Sequence, residues 1–149
     1  LILELRENEL NIATPVLVCD QDQIKELVED RRNARVGATT VVFDKNNNAL
    51  YFSKEVIPYI SFKSKNNSSK CVFHHIGVYA YTASALKNYI SFPVGQLEKQ
   101  EGLEQLRFLE NGYKIKCVQF DLKKNSFWEL NNPSDVPKIE KILTDLSIE

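Results

Sequence analysis

The sequence predicts an α/β fold, a mixed sheet with flanking helices and an inserted β-hairpin. Three observations predict it. Short β-branched runs alternate with stretches whose apolar residues recur at helical spacing. Two of those runs are joined by Asp44-Lys45-Asn46-Asn47-Asn48, a turn-forming segment rich in residues that tolerate left-handed backbone. At 149 residues, 43% of them apolar, the chain is long enough to bury one core, so residues 1–149 read as a single domain.

The elements follow in order. Leu1, Leu3 and Leu5, mixed with acids, read as the end of a helix. Residues 12–19 are apolar and β-branched and predict a strand. Asp20 or Asp22 caps a helix with Ile24, Leu27 and Val28 on one face, which fades at Arg31-Arg32-Asn33. Residues 39–43 and 49–53 are the arms of the hairpin, and Pro58 ends the second arm. Residues 63–70 form a polar surface excursion. A strand is expected over 72–81, then a helix capped by Thr82 with Ala85, Leu86, Tyr89 and Ile90 facing inward. A second helix is expected from Gly95 to about Glu110, burying Leu103, Leu106, Phe108 and Leu109 and stopped by Asn111-Gly112. Residues 113–120 alternate as a half-exposed strand, and 127–130 form another. Pro133 opens a last helix with Val136, Ile139, Ile142 and Leu143 inward.

Composition excludes several classes of function. A net charge of -1 gives no general attraction to nucleic acid or to an anionic membrane. No apolar run approaches the ~20 residues of a membrane helix, and the N-terminus lacks the basic start of a secretory signal. Cys19, Cys71 and Cys117 are widely spaced, and the histidines are the adjacent His74 and His75, so the usual zinc spacings are missing. The cysteines read as reduced residues of a cytoplasmic protein, in settings that do not suit a Cys-His nucleophile. The first residue is Leu rather than Met, so the chain is expected to begin inside a longer reading frame or after processing.

Three clusters carry chemistry. In the expected strand, His75, Gly77 and Tyr79 share a face, with an empty position between imidazole and phenol where a ligand has room. The plainer alternative is a hydrogen-bonded core histidine beside a core tyrosine. Glu104-Gln105 lie between two helix-buried leucines and suit a polyhydroxylated sugar, because a carboxylate accepts from hydroxyls and an amide both donates and accepts. A solvated helix edge is the alternative. Glu129-Leu130-Asn131-Asn132-Pro133-Ser134-Asp135 runs from a strand end into a helix start, a place where anions and metals collect in α/β folds. Plain capping by Asn132 or Ser134 is the alternative.

Together these stretches resemble the CMP-KDO synthetase family, cytidylyltransferases that activate an eight-carbon acid sugar for lipopolysaccharide. The matching residues are Val42-Phe43-Asp44, Ala49-Leu50-Tyr51-Phe52-Ser53-Lys54, Ile57-Pro58, His75-Ile76-Gly77-Val78-Tyr79-Ala80-Tyr81, Leu103-Glu104-Gln105-Leu106-Arg107-Phe108-Leu109-Glu110-Asn111-Gly112 and Asn132-Pro133-Ser134-Asp135-Val136. Order and spacing agree from about Ala13 onward.

The resemblance implies the C-terminal portion of a Rossmann-like nucleotidyltransferase fold. It implies a reaction in which the anomeric hydroxyl of the acid sugar KDO attacks the α-phosphorus of CTP and pyrophosphate leaves, with magnesium as cofactor. It assigns His75, Tyr79, Glu104 and Gln105 to the sugar. It assigns the hairpin and the Ile57-Pro58 segment to contacts in a homodimer. Three departures accompany it. The family's Arg-, Gly- and Lys-rich nucleotide loop and its acidic metal motif are absent, so the isolated chain is expected to be inactive and to self-associate through uncovered apolar surface. Asn131 stands where the family has a metal-ligating aspartate, leaving Glu129 as the nearest carboxylate on the same strand face. Lys54 replaces a common arginine, keeping charge without the bidentate fork. The competing readings are a non-catalytic sugar-binding or dimerisation module of the same ancestry, and a cytidylyltransferase for a related acid sugar.

Overall fold

The computed structural model describes residues 1–7, 10–35, 38–60, 71–120, 130 and 133–145. The elements run α1 (Ile2–Glu7), β1 (Ile12–Val18), α2 (Gln21–Arg32), β2 (Thr40–Phe43), β3 (Ala49–Ser53), β4 (Phe73–His75), β5 (Ala80–Tyr81), α3 (Ala83–Ser91), α4 (Gln96–Glu101), α5 (Leu106–Glu110), β6 (Lys116–Phe120) and α6 (Val136–Asp145), the last preceded by a 3-10 turn at Pro133–Asp135. Among the described residues, no helix is long and apolar enough to cross a membrane. The strand expected at 127–130 and the polar excursion at 63–70 lie outside the described residues, except for Leu130.

β1 is the axis of a mixed sheet, and all its residues but Val18 are buried. It pairs in parallel with β6, Ala13 facing Lys116 and Leu17 facing Phe120. Its other edge pairs antiparallel with β4 and then with β5, and the sheet extends from β4 through β2 to β3. Burial on both faces is why this strand reads as a continuous apolar run rather than an alternation.

Two apolar clusters hold the layers together. Ile12, Val16, Val41 and Phe52 from the sheet pack with Ala85 of α3, Leu106 and Phe108 of α5, Ile115 and Cys117. Complete burial of a side chain such as Phe52 or Ile12 contributes roughly 1.5–3 kcal/mol. A second cluster joins Ile24 and Leu27 of α2 to Cys19, Ala38 and Val72.

Local chemistry sets several boundaries. Asp20, not Asp22, caps α2, accepting from the amides of Asp22 and Gln23 while Gln23 accepts from the Asp20 amide, a reciprocal capping box. Thr82 caps α3 by accepting from the Ala85 amide at 3.2 Å. In the hairpin turn, Asp44 accepts from the amides of Asn46 and Asn48, both at 2.8 Å, and Asn47 takes a φ of 60°. The turn then docks on the start of β6: the Cys117 amide donates to Asn47 O and the Ala49 amide to Ile115 O, each at 2.8 Å. The edge of the hairpin therefore touches the far side of the sheet, with Asn48 bridging to Lys116.

Three expectations need correction. The helix expected from Gly95 to Glu110 is two helices, because Gly102 adopts φ 63°, ψ 38° and ends α4 with a left-handed residue. The inward face expected on α3 is narrower: Ala85 is buried and Tyr89 half-buried, whereas Leu86 is exposed and Ile90 is 83% exposed. On α6, Ile139 and Ile142 are half-buried while Val136 and Leu143 face solvent.

Candidate functional site

Pro15 sits in the middle of β1, where it offers no amide proton. Its carbonyl accepts from Ile76, so its missing donor faces the β4–β5 edge. The strand expected over 72–81 breaks there: Val16 faces His75 and Ala13 faces Ala80, leaving Thr14 and Pro15 opposite the four residues 76–79. Proline within a sheet is confined to edges and bulges, and this is a bulge.

Thr14 closes the gap. Its buried hydroxyl lies 2.9 Å from Val78 O, 3.2 Å from Ile76 O and 3.0 Å from His75 Nε2. A hydroxyl has one proton and a carbonyl has none to give, so Thr14 donates to the carbonyls and His75 Nε2 donates to Thr14. His75 is held between strands with 5% exposure, its ring edge-on to Phe52 at 4.9 Å.

The bulge also brings Tyr79 back toward His75. Alternation along a regular strand predicts a ligand-sized gap over Gly77. Instead the two rings touch, with centroids 5.3 Å apart, and a side chain at Gly77 would meet only open space. Any ligand therefore lies beside this ring pair rather than between its members.

Tyr79 continues into an aromatic stack with Tyr81 at 5.4 Å, and Tyr81 with Phe108 at 5.7 Å. Burial, with Tyr81 and Glu104 adding to it, pushes the Tyr79 phenol far up, so it is a neutral hydroxyl at any physiological pH. Burial also pushes Tyr81 up to about 12, with Tyr89 and Glu104 contributing. The Tyr79 hydroxyl is buried and has no hydrogen-bond partner among the described residues, a costly state that a ligand or water would relieve.

Glu104 and Gln105 lie in the short connection between α4 and α5, not within one helix. Glu104 is exposed, and its charge acts on Tyr79, Tyr81 and Tyr89. Gln105 is the N-cap of α5, with 7% exposure and no capping hydrogen bond. The structure thus brings the His75 and Tyr79 rings together with the Glu104 charge acting on the phenol, while Gln105 follows Glu104 in the chain as a buried residue. A cavity of about 680 Å³ is lined by Tyr79, Tyr81 and Thr82 together with Arg6 and Asn11, so of the four sequence-predicted sugar residues Tyr79 alone borders it; His75, Glu104 and Gln105 do not.

Thr14, Tyr81, Tyr89 and Arg107 belong to this neighbourhood although the sequence did not single them out. A proline within an apolar β run was the available signal for Thr14. The period of two from Tyr79 was the signal for Tyr81.

Glu129 and Asn131 lie outside the described residues. Among the described residues, no group of three or more His, Cys, Asp or Glu side chains converges as a metal site. Lys54 approaches the α4–α5 connection, its Nζ 2.9 Å from where a Cβ on Gly102 would sit. Cys19 and Cys117 are buried, which pushes both thiols up to about 12, so neither is a ready nucleophile.

The family model described as cytidylyltransferase matches residues 8–115. The chain belongs to the cytidylyltransferase family. Within that family it is 36% identical over 134 residues to the 3-deoxy-manno-octulosonate cytidylyltransferase of Maricaulis maris (strain MCS10), a match covering 90% of this chain and 51% of the relative. It is 44% identical over 104 residues to the 8-amino-3,8-dideoxy-manno-octulosonate cytidylyltransferase of Shewanella pealeana (strain ATCC 700345 / ANG-SQ1), covering 70% of this chain and 40% of the relative. In three dimensions it matches the structure of CMP:2-keto-3-deoxy-manno-octonic acid synthetase complexed with CTP, with a TM-score of 0.74 and 26% identity, over 98% of this chain and 54% of that one. The chain therefore spans about half the length of the cytidylyltransferases it matches.

Proposed function

We propose that this chain forms the sugar-binding side of a cytidylyltransferase that joins CTP to an eight-carbon acid sugar, releasing pyrophosphate and forming CMP-KDO. The observation that carries the proposal is the buried Tyr79 hydroxyl, which has no hydrogen-bond partner among the described residues, with the His75 ring against the Tyr79 ring and the Glu104 charge acting on the phenol. A neutral phenol can exchange hydrogen bonds with a sugar hydroxyl, and Glu104 can accept from others. His75, its Nε2 committed to Thr14, forms the floor that holds Tyr79 in place. Gln105, buried and next to Glu104 in the chain, is the fourth residue of the proposed set. The step needs alignment of the attacking hydroxyl with the α-phosphorus more than covalent help from the protein.

The CTP contacts, the magnesium and the cytoplasmic setting are part of the same proposal. Glu129 and Asn131 are the residues of this chain assigned to the metal. The free thiols suit a reducing compartment. A homodimer suits the apolar surface left open on and after the hairpin, where Tyr59 is 91% and Leu50 62% exposed.

The test is pyrophosphate release from CTP and KDO by the natural protein containing this sequence. Tyr79→Phe is expected to raise KM for the sugar about tenfold, the effect of one lost hydrogen bond of ~1.4 kcal/mol, and to leave KM for CTP within about twofold. Equal loss for both substrates, or no sugar-dependent pyrophosphate at all, would overturn the assignment. The Shewanella pealeana relative makes the 8-amino sugar a second candidate, so both sugars are compared by kcat/KM in that assay.

A further inference from the structure

Glu104 and Gln105 lie on a connection of only four residues between two short helices, too little structure to hold a ligand-binding carboxylate by itself. Its geometry is imposed from outside. Across the connection, Glu98 of α4 accepts from Arg107 Nε at 2.7 Å and Nη2 at 2.6 Å, a two-pronged ion pair whose side chains are only 9% and 15% exposed. The Arg107 guanidinium also lies 4.2 Å above the Tyr89 ring of α3. Tyr89 in turn packs on Phe108 at 5.0 Å, and so on the stack that contains Tyr79. The ends of α4 are fixed as well. Glu110 accepts from the Leu97 and Glu98 amides at its start, and Glu101 accepts from Tyr51, Ser53 and the Lys54 amide near its end. Among the described residues, the Glu104 side chain makes no hydrogen bond or ion pair, so it is the carboxylate the arrangement leaves available.

We propose that Arg107 is a positioning residue for the acid sugar: gripped by Glu98 and laid on Tyr89, it closes the α4–α5 connection so that Glu104 faces the Tyr79 neighbourhood. This inference rests on the reading of that neighbourhood as the sugar site. Arginine is required because the role uses two parallel N–H donors and a flat cation over an aromatic face, neither of which a lysine ammonium supplies.

The variant that tests it is Arg107→Lys, made in the natural protein containing this sequence and compared with Asn88→Ala. The latter removes the 2.6 Å bond from Asn88 to the Tyr113 hydroxyl and serves as a control for general loosening. Arg107→Lys is expected to raise KM for the acid sugar about tenfold with KM for CTP within about twofold. Amide exchange at residues 103–106 should quicken while exchange in β1 stays as in wild type. Asn88→Ala should lower the Tm without moving either KM. If the wild type turns over the sugar and Arg107→Lys leaves its KM within twofold, the positioning role is wrong and the sugar site stands. The role is also wrong if both KM values rise together in both variants. If the wild type turns over no acid sugar, the sugar site itself is refuted and the positioning role falls with it.

Discussion

At the hairpin turn, Asp44 accepts from amides two and four residues further along the chain. At the bulge, Thr14 reaches carbonyls 62 and 64 residues away. Both side chains tie down backbone that has left regular pairing. The first tie can form as soon as its own few residues are present. The second exists only once β1 lies against both β4 and β5. A fault in the turn therefore costs a turn, whereas a fault at Thr14 releases the residues that bring His75 and Tyr79 together.

The largest effect should come from Thr14→Val, which keeps the shape and strands the partners of the hydroxyl. A stability loss of about 1–3 kcal/mol is expected, seen as a lower urea midpoint at unchanged m. A loss below about 0.5 kcal/mol, within the range of ordinary surface changes, would mean that the bulge is held by something else. Next is Gly102→Ala, which forces a side chain into a left-handed residue and toward Lys54 Nζ. It should cost about 1–2 kcal/mol, measured by the same melts.

Asp44→Ala should lower the Tm by less than Thr14→Val, because its partners turn to water. A larger drop would reverse the ranking of the two regions. Acid sharpens the same contrast. Hydrogen bonds from Asn48 hold the Asp44 carboxyl below its usual range, and those from Arg107 do the same for Glu98. Such groups stabilise the fold fully above their unfolded values near pH 4–4.5, and lose that contribution as pH falls through the lower folded values. Asp44→Asn and Glu98→Gln should therefore each flatten the acid limb of a Tm-against-pH curve and leave its slope near neutrality unchanged. The smallest effect concerns the thiols. At pH 8 a disulfide reagent should label exposed Cys71 quickly, and Cys19 and Cys117 only after denaturation. Fast labelling of all three would mean that β1 and β6 open readily.

What could be read from the sequence follows the same division. The hairpin, the Thr82 cap and the stop at Gly112 depend on a few neighbouring residues, and they stand where the sequence predicts them. Gly102 carried an equally local signal, but the apolar residues on either side fit one helical period and masked it. The break in the strand over 72–81 had no signal of its own, because its cause is Pro15 in the partner strand. The likeness to cytidylyltransferases was legible in an ordered series of short motifs, and the family match agrees with it. The geometry of the candidate site was less so. The sequence reading put His75 and Tyr79 on one face of an unbroken strand with a gap between them, whereas ring contact, the phenol without a partner among the described residues and the Arg107 grip depend on strand pairing and helix packing that no single stretch encodes.

β1 acquires its parallel neighbour late in synthesis, since Ala13 waits for Lys116 and Leu17 for Phe120. Until β6 emerges from the ribosome, one whole flank of an apolar strand stands open to pairing with any other chain. Distant pairings of this kind are slow to form. Nascent chains that end before β6 should therefore be the ones that precipitate or depend on chaperones.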